Sequence, residues 1–456
     1  MKKRRLCVLW LSSATAVGAI LLLLSWQSVA LQPGGTLDAA AAGTTDTASA
    51  EEEFTWQGTR AMNLSRSESN SIDKGTQFPR IALDQNGRAH VLWTGIYGAV
   101  QSEVFMCSRP SVYSSWATPE VISPSSKTRS EHAESSTDED DNLHAVWAEQ
   151  LSYDEYRVFY QKRSTGGTLA VHKQLASLTD PPAPTIATNE QRVHAAWLSL
   201  AEERFDFDIS HRYSLDGGKN WSSSATAVAL TSSSMNVAMT VDGEGRVHLV
   251  WAESVKEGAK RIGKIMYRAG VPTQSGIDWG PITTVSPRGD NCVHPSIATI
   301  GTDILIAWGK IIEPQKFELH FASCAGEPVV CNAQEIGIPV VVNTSDPAQA
   351  APVLAVDAEK EVVAVWHGDQ ESTTPGPGTF EEVLFSRSTD GGQTWSLVTN
   401  VSQTPNERSI DPDVRVSDGI VHVVWRERYE EQDGQKYDTW YVNSLRFINL
   451  PLIMRN

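Results

Sequence analysis

A tryptophan returns seven times along the chain, at Trp93, Trp147, Trp197, Trp251, Trp308, Trp366 and Trp425, at intervals of 50 to 59 residues. Its surroundings return with it. The first copy reads Pro79-Arg80-Ile81-Ala82-Leu83-Asp84, a turn at Asn86-Gly87, then His90-Val91-Leu92-Trp93. The fourth reads Val237-Ala238-Met239-Thr240-Val241-Asp242, Gly245, then His248-Leu249-Val250-Trp251. The seventh reads Pro412-Asp413-Val414-Arg415-Val416, Asp418-Gly419, then His422-Val423-Val424-Trp425. Two strand-forming runs joined by a Gly/Asp/Asn turn spell a β-hairpin. The repeat constrains the fold more than any other feature, because one unit cannot bury its own apolar faces and must stack on its copies.

A third strand follows in each copy, such as Val158-Phe159-Tyr160, Ile265-Met266-Tyr267 or Glu382-Val383-Leu384-Phe385. A fourth often opens with Trp, as in 221–230, 279–286 and 395–402. No long segment has a helical period. Four short antiparallel strands per copy, seven times over, predict an all-β chain, a seven-bladed β-propeller across residues 54–446. The seventh copy stops after its third strand, near Arg446. The segment from Phe54 to Ser65 reads like a fourth strand and is expected to complete the last blade, leaving no open edge.

Residues 1–30 carry Lys2, Lys3, Arg4 and Arg5, an apolar stretch to Trp26, and small residues at Ser28 and Ala30. They read as a signal peptide cleaved after Ala30, or as a retained N-terminal membrane anchor. Either places the body outside the cytoplasm, secreted or at the cell surface. Residues 31–53, rich in Gly, Ala and Thr, read as a flexible linker. Lys+Arg 38 against Asp+Glu 55 gives a net charge of −17. The N-terminal segment contributes +4, so the rest carries −21 (−17 minus +4). A nucleic-acid partner is excluded on that balance. Nothing signals an oligomer, and a monomer is expected.

Between the third and fourth strands of the third copy stands Ser214-Leu215-Asp216-Gly217-Gly218-Lys219-Asn220-Trp221. The sixth copy has Ser388-Thr389-Asp390-Gly391-Gly392-Gln393-Thr394-Trp395. Both resemble the Asp-box, S-x-D-x-G-x-x-W, of the sialidase or BNR-repeat superfamily, and Ser164-Thr165-Gly166-Gly167 looks like a degenerate third. The box is local architecture: Asp accepts backbone N–H bonds, the glycines admit positive φ, and Trp covers the turn. In the family it lies away from the active site, so the resemblance bears on fold more than on chemistry.

The resemblance also implies a site. Sialidases clamp a carboxylate with three arginines, whose forks bind it bidentately. They attack with a Tyr backed by a Glu, and use an Asp acid/base. The candidates in this chain are Arg80, Arg415 and Arg426, with Glu427 and Tyr429 as the nucleophile pair. Pro79-Arg80-Ile81-Ala82 departs from the family's Arg-Ile-Pro, since its Pro precedes the Arg and recurs as Pro184, Pro295, Pro352 and Pro412. Family sialidases have six blades, so a seventh would move every position around the axis. The alternative reading of these residues is surface charge at strand ends.

Other constellations have bland readings beside their functional ones. His90, His144, His194, His248 and His422 share one repeat position. Equal stations on a wide ring cannot share an ion, so structural histidines bonded to backbone carbonyls are expected. Glu149, Glu253, Asp369 and Glu427, with Glu103, Asp208, Glu318, Glu382 and Asp438, predict an acidic rim, read mainly as solvation of an exposed edge. Asp138, Asp140 and Asp141 form an acidic turn where calcium could sit, though the spacing is not that of an EF-hand; no other cofactor is implied. Cys324 and Cys331 bracket a hairpin suited to a disulfide, and Cys107 and Cys292 are expected not to pair with each other. The apolar tail 447–456 reads as a strap or an export-related end. The loops expected between second and third strands are 153–156, 202–208, 256–261, 370–379 and 429–437. Tyr and acid/amide mixtures there would suit sugars. The expected function is an exported binding module for a glycan or an extracellular protein. The alternative is a sialidase-like exo-glycoside hydrolase, and a purely structural spacer is a third reading.

Overall fold

A computed structural model describes residues 61–65, 76–97, 101–123, 128–258, 260–273, 276–313, 316–325, 330–335, 351–357, 360–368, 381–404, 407–431 and 434–444. The expected leader 1–30, the linker 31–53, the loop 370–379 and the tail 447–456 lie outside them. The chain divides into Met1–Phe54 and Thr55–Asn456, and every described residue belongs to the second part. The described residues contain strands and no helix.

The strands fall into seven antiparallel units. Their first strands are Thr76–Leu83, Arg129–Thr137, Thr185–Asn189, Ser233–Val241, Cys292–Ile300, Val353–Val356 and Arg408–Ser417. Each pairs with a second strand, that with a third, and the third with a short fourth at the outer edge. Units one and two are joined by a single parallel contact, Ser102 to Arg129. No sheet closes on itself among the described residues. The fourth strand of unit seven comes from the other end of the chain: Met62 pairs with Tyr441 and Asn63 with Trp440. Each first strand lies against the first strands of the units before and after it, and that of unit seven lies against that of unit one.

The seams between units are filled from second strands. All seven repeat tryptophans are buried to 1% exposure or less. Trp147 packs among Leu92, Val104 and Met106 of the preceding unit. Trp251 packs among Ala196, Ile209 and Ala227. Trp93 packs with Val424 and Tyr441 of unit seven. Second strands therefore bury both faces and read as continuous apolar runs, because each face meets a neighbouring sheet.

The two Ser-x-Asp-x-Gly-x-x-Trp turns form as their residues dictate. Ser214 Oγ donates to Asp216 Oδ1 at 2.8 Å and accepts from the Gly218 amide at 2.9 Å. Trp221 Nε1 donates to the Gly218 carbonyl at 3.2 Å. Ser388, Asp390, Gly392 and Trp395 repeat the pattern. Gly218 has φ +82 and sits so close to Tyr160 that a Cβ would meet its hydroxyl at 1.8 Å. Burial opposes the charge on Asp216, but bonds from Asn220 and Ser214 outweigh it and hold the pKa down at about 2. The box tryptophan then stands edge-on to a ring of the preceding unit: Trp221 on Tyr160 and Trp395 on Phe321. Trp116 on Tyr441 and Trp279 on His211 occupy the same station without the sequence motif.

The hairpins between second and third strands are mostly ladder rather than loop. Lys256 pairs with Arg261 and Tyr429 with Lys436. Charge along these segments resembles loop composition, but cross-strand pairing keeps them extended. Cys324 is disulfide-bonded and faces Cys331 across the ladder. Cys107 and Cys292 are free and buried.

Trp251→Ala is expected to cost about 3–5 kcal/mol by urea denaturation, through loss of a fully buried aromatic. Gly218→Ala is expected to lower the thermal midpoint well below that of Gly243→Ala, whose Cβ would meet nothing within 4 Å.

Candidate functional site

The first strands share an irregularity at the end where they begin. Register shifts break the ladder between Gln77 and Arg80, Glu131 and Glu134, Met235 and Ala238, Val293 and Ser296, and Ile410 and Asp413. The residue at each bulge is left-handed: Phe78 (φ 49), His132 (φ 54), Asn236 (φ 50), His294 (φ 50) and Asp411 (φ 52), joined by Ala183 (φ 42) before the third first strand. None is glycine, and a bulky residue there costs about 1–3 kcal/mol. All six are half-buried, next to strand residues that are largely buried. One backbone station thus carries six side chains in chain order: Phe, His, Ala, Asn, His and Asp.

Arg80 and Arg426 lie at this end, Arg415 lies farther along its strand opposite His422, and each faces a carboxylate. Arg80 Nε lies 2.5 Å from Glu134 Oε1 of unit two. Arg415 Nη1 lies 3.0 Å from Asp413 Oδ1, and Arg426 Nε lies 2.5 Å from Asp411 Oδ2. Burial pushes the Glu134 carboxyl up despite Arg80. Burial works the same way on Asp411, but Arg426, His367 and Arg80 outweigh it and hold its pKa low. Arg408 pairs with Glu381. The Asp411 amide donates to His367 Nδ1 at 3.4 Å. Two buried atoms beside them, His367 Nε2 and Glu381 Oε1, have no hydrogen-bond partner among the described residues.

Glu427 is engaged elsewhere. It alternates with Arg426 along the strand, and its Oε2 accepts from Ser409 Oγ at 3.2 Å and Trp425 Nε1 at 3.1 Å. Tyr429 lies on the same strand, paired with Lys436, and its side chain is outside the described set. Glu253 makes the equivalent bonds, to Ser234 Oγ and Trp251 Nε1, both at 2.8 Å. Glu149 accepts from Thr128. These contacts correct the expectation of an exposed acidic edge: Glu149, Glu253 and Glu427 are buried, and Glu382 and Asp438 with them. Their partners are hydroxyls and indoles that sequence spacing does not announce.

The repeated histidines differ too. Their partners are side chains rather than carbonyls. His144 bonds Asp138 Oδ2 and the Tyr160 hydroxyl, each at 2.8 Å. His248 bonds Asp242 at 3.1 Å and Tyr267 at 2.7 Å. In unit three His194 meets His211 at 3.2 Å. Asp138 also accepts the amides of Asp140 and Asn142. Asp140 accepts from Gln191, and Asp141 from Gln85 and Asn86. Among the described residues no group of three or more His, Cys, Asp or Glu is arranged to hold a metal ion.

At the opposite end, the turns between first and second strands line a cavity of about 290 Å³ with Asp84, Asp138, Glu139, Glu190 and Ser417 among its walls. The Ser214–Trp221 turn sits at this end, since the Gly217 amide donates to the Gln191 carbonyl in one of those turns.

No family model matches the chain. No curated protein matches it either. Solved structures that resemble it include a protein of unknown function from Dyadobacter fermentans, at TM-score 0.48 and 12% identity over 86% of this chain and 100% of that one. Trypanosoma rangeli sialidase overlaps at TM-score 0.48 and 11% identity, over 86% of this chain and 60% of that one. An α-L-arabinofuranosidase of Fusarium graminearum overlaps at 0.47 and 11%, over 72% and 98%. Overlap this loose decides nothing about the chemistry of this chain.

The buried histidines set an acid limit on the fold. Burial holds the pKa of His194 at about 3, against an ordinary 6.5. The unfolded chain takes up that proton first, so stability falls as pH drops below 6.5 and stops falling near 3. Urea midpoints measured from pH 7.5 to 4.5 are expected to decline, and His194→Gln to flatten the decline.

Proposed function

We propose that the seven units close into a seven-bladed β-propeller of the Asp-box type, exported from the cell, and that it is a binding module for a glycan or an extracellular protein. Two features support closure: the contact between the first strands of units seven and one, and a cavity lined jointly by turns of units one, two, three and seven. The binding reading rests on the bulge end. Backbone strain and unpartnered buried atoms are costs, and proteins keep them where function needs them. At the bulge end six left-handed stations repeat the backbone while their side chains differ, and the unpartnered His367 Nε2 and Glu381 Oε1 lie beside them.

The hydrolase alternative needs arginines free to clamp a carboxylate and a Glu free to support a nucleophile. Arg80, Arg415 and Arg426 are each paired, and Glu427 is occupied by Ser409 and Trp425. The binding reading fits that geometry better.

A glycan array separates the two. The protein is expected to retain ligand. The double substitution Phe78→Gly with His132→Gly, which relaxes the backbone, is expected to weaken retention about ten-fold or more, the equivalent of about 1.4 kcal/mol. A fluorogenic sialoside is expected to remain intact. Turnover abolished by Arg80→Ala would replace binding with hydrolysis.

A further inference from the structure

Four planar groups from three units stack in one band across the bulge end. Arg426 lies over the ring of Tyr437, 4.6 Å from its centre. The same guanidinium lies 5.7 Å from the centre of Phe78 in unit one. Phe78 stacks on His132 of unit two, with centres 4.6 Å apart and planes 29° off parallel. All four are half-buried, so each keeps part of its surface open. Burial lowers the pKa of His132 against the pull of Glu131, and the imidazole joins the band as a neutral ring. Phe78 holds its place in a left-handed conformation that large side chains avoid.

The charges around the band are already matched. Arg426 is paired with Asp411 and Arg80 with Glu134. An acidic ligand would have to pull a partly buried arginine from its carboxylate, which leaves that carboxylate uncompensated. A neutral hydroxyl needs no such exchange, because a paired carboxylate still has lone pairs to offer. The stack covers its inner faces, so the surface left for the C–H face of a sugar ring is the outer side of the end members Tyr437 and His132 and the open rim of Phe78.

Resting on the binding reading above, we propose that the Tyr437–Arg426–Phe78–His132 band is a platform for a neutral, polyhydroxylated sugar. The apolar ring face lies on the aromatic groups, and the hydroxyls are bonded by the flanking Arg–carboxylate pairs. Uncharged glycans bind here and acidic ones do not.

The full chain is titrated by calorimetry with cellohexaose, mannohexaose, laminarihexaose and xylohexaose, and with 3′-sialyllactose. At least one neutral hexaose is expected to bind and 3′-sialyllactose not to. Phe78→Gly and Tyr437→Ala are each expected to weaken the neutral ligand about ten-fold or more, with thermal midpoints confirming that both variants fold. Binding of 3′-sialyllactose alone overturns the neutral-sugar assignment and leaves the binding module standing. Neutral binding that both variants leave unchanged overturns the platform and also leaves the module standing. Silence from all five probes, with ligands still found on the glycan array, overturns this assignment alone. Silence on both overturns the glycan reading as well.

Discussion

The packing of one tryptophan per unit into the seam with the unit before it is the interaction on which the rest of this structure depends. A four-stranded sheet of this size has two apolar faces and cannot satisfy either alone. Trp93, Trp147, Trp197, Trp251, Trp308, Trp366 and Trp425 supply the area that makes adjacent sheets mutually necessary. The edge-on contacts of Trp116, Trp221, Trp279 and Trp395 fasten the same seams farther out. Some seams also carry a polar thread: Asp138 to His144 to Tyr160, then onto Trp221 of the next unit. The repeat is thus registered twice, by apolar volume and by hydrogen bonds.

Once the seams are fixed, the first strands are crowded against one another. Their bulges interrupt the ladder and turn one side chain away from the sheet in each unit that carries one. Side chains from units six, seven, one and two come together there, in the paired arginines, His367 and the aromatic band. The stack of Arg426 on Phe78 and of Phe78 on His132 exists within no single unit. The chemistry of this end is a property of the assembled units.

Legibility in the sequence follows the same division. The tryptophan ladder, the hairpins and both Ser-Asp-Gly-Trp turns are readable because each is local: a spacing, a turn, a four-residue pattern. The borrowed fourth strand is readable from the missing piece in unit seven. The left-handed bulges are not, since Phe78, His132, Ala183, Asn236, His294 and Asp411 share no residue type. A signal is nonetheless present. Pro79, Pro184, Pro295 and Pro412 recur inside apparent strands, and proline inside a strand marks an edge or a bulge. Burial of Glu149, Glu253 and Glu427 is hidden because their serine and threonine partners come from other strands and loops. A carboxylate at a strand end is exposed only where nothing folds over it.

The strand Met62–Asn63 has a consequence in time. Its ladder partners are Tyr441 and Trp440, and Asn63 bonds Asp438 across a sequence separation of 375 residues. The earliest described strand must wait for the last one to be made. Until then unit seven lacks its outer strand and the seam around Trp93 lacks Val424 and Tyr441. Loop-closure entropy defers so distant a pairing to the end of folding. A nascent chain that emerges in order therefore passes through a long incomplete state with open edges, and its final step is a single clasp between the first and last strands.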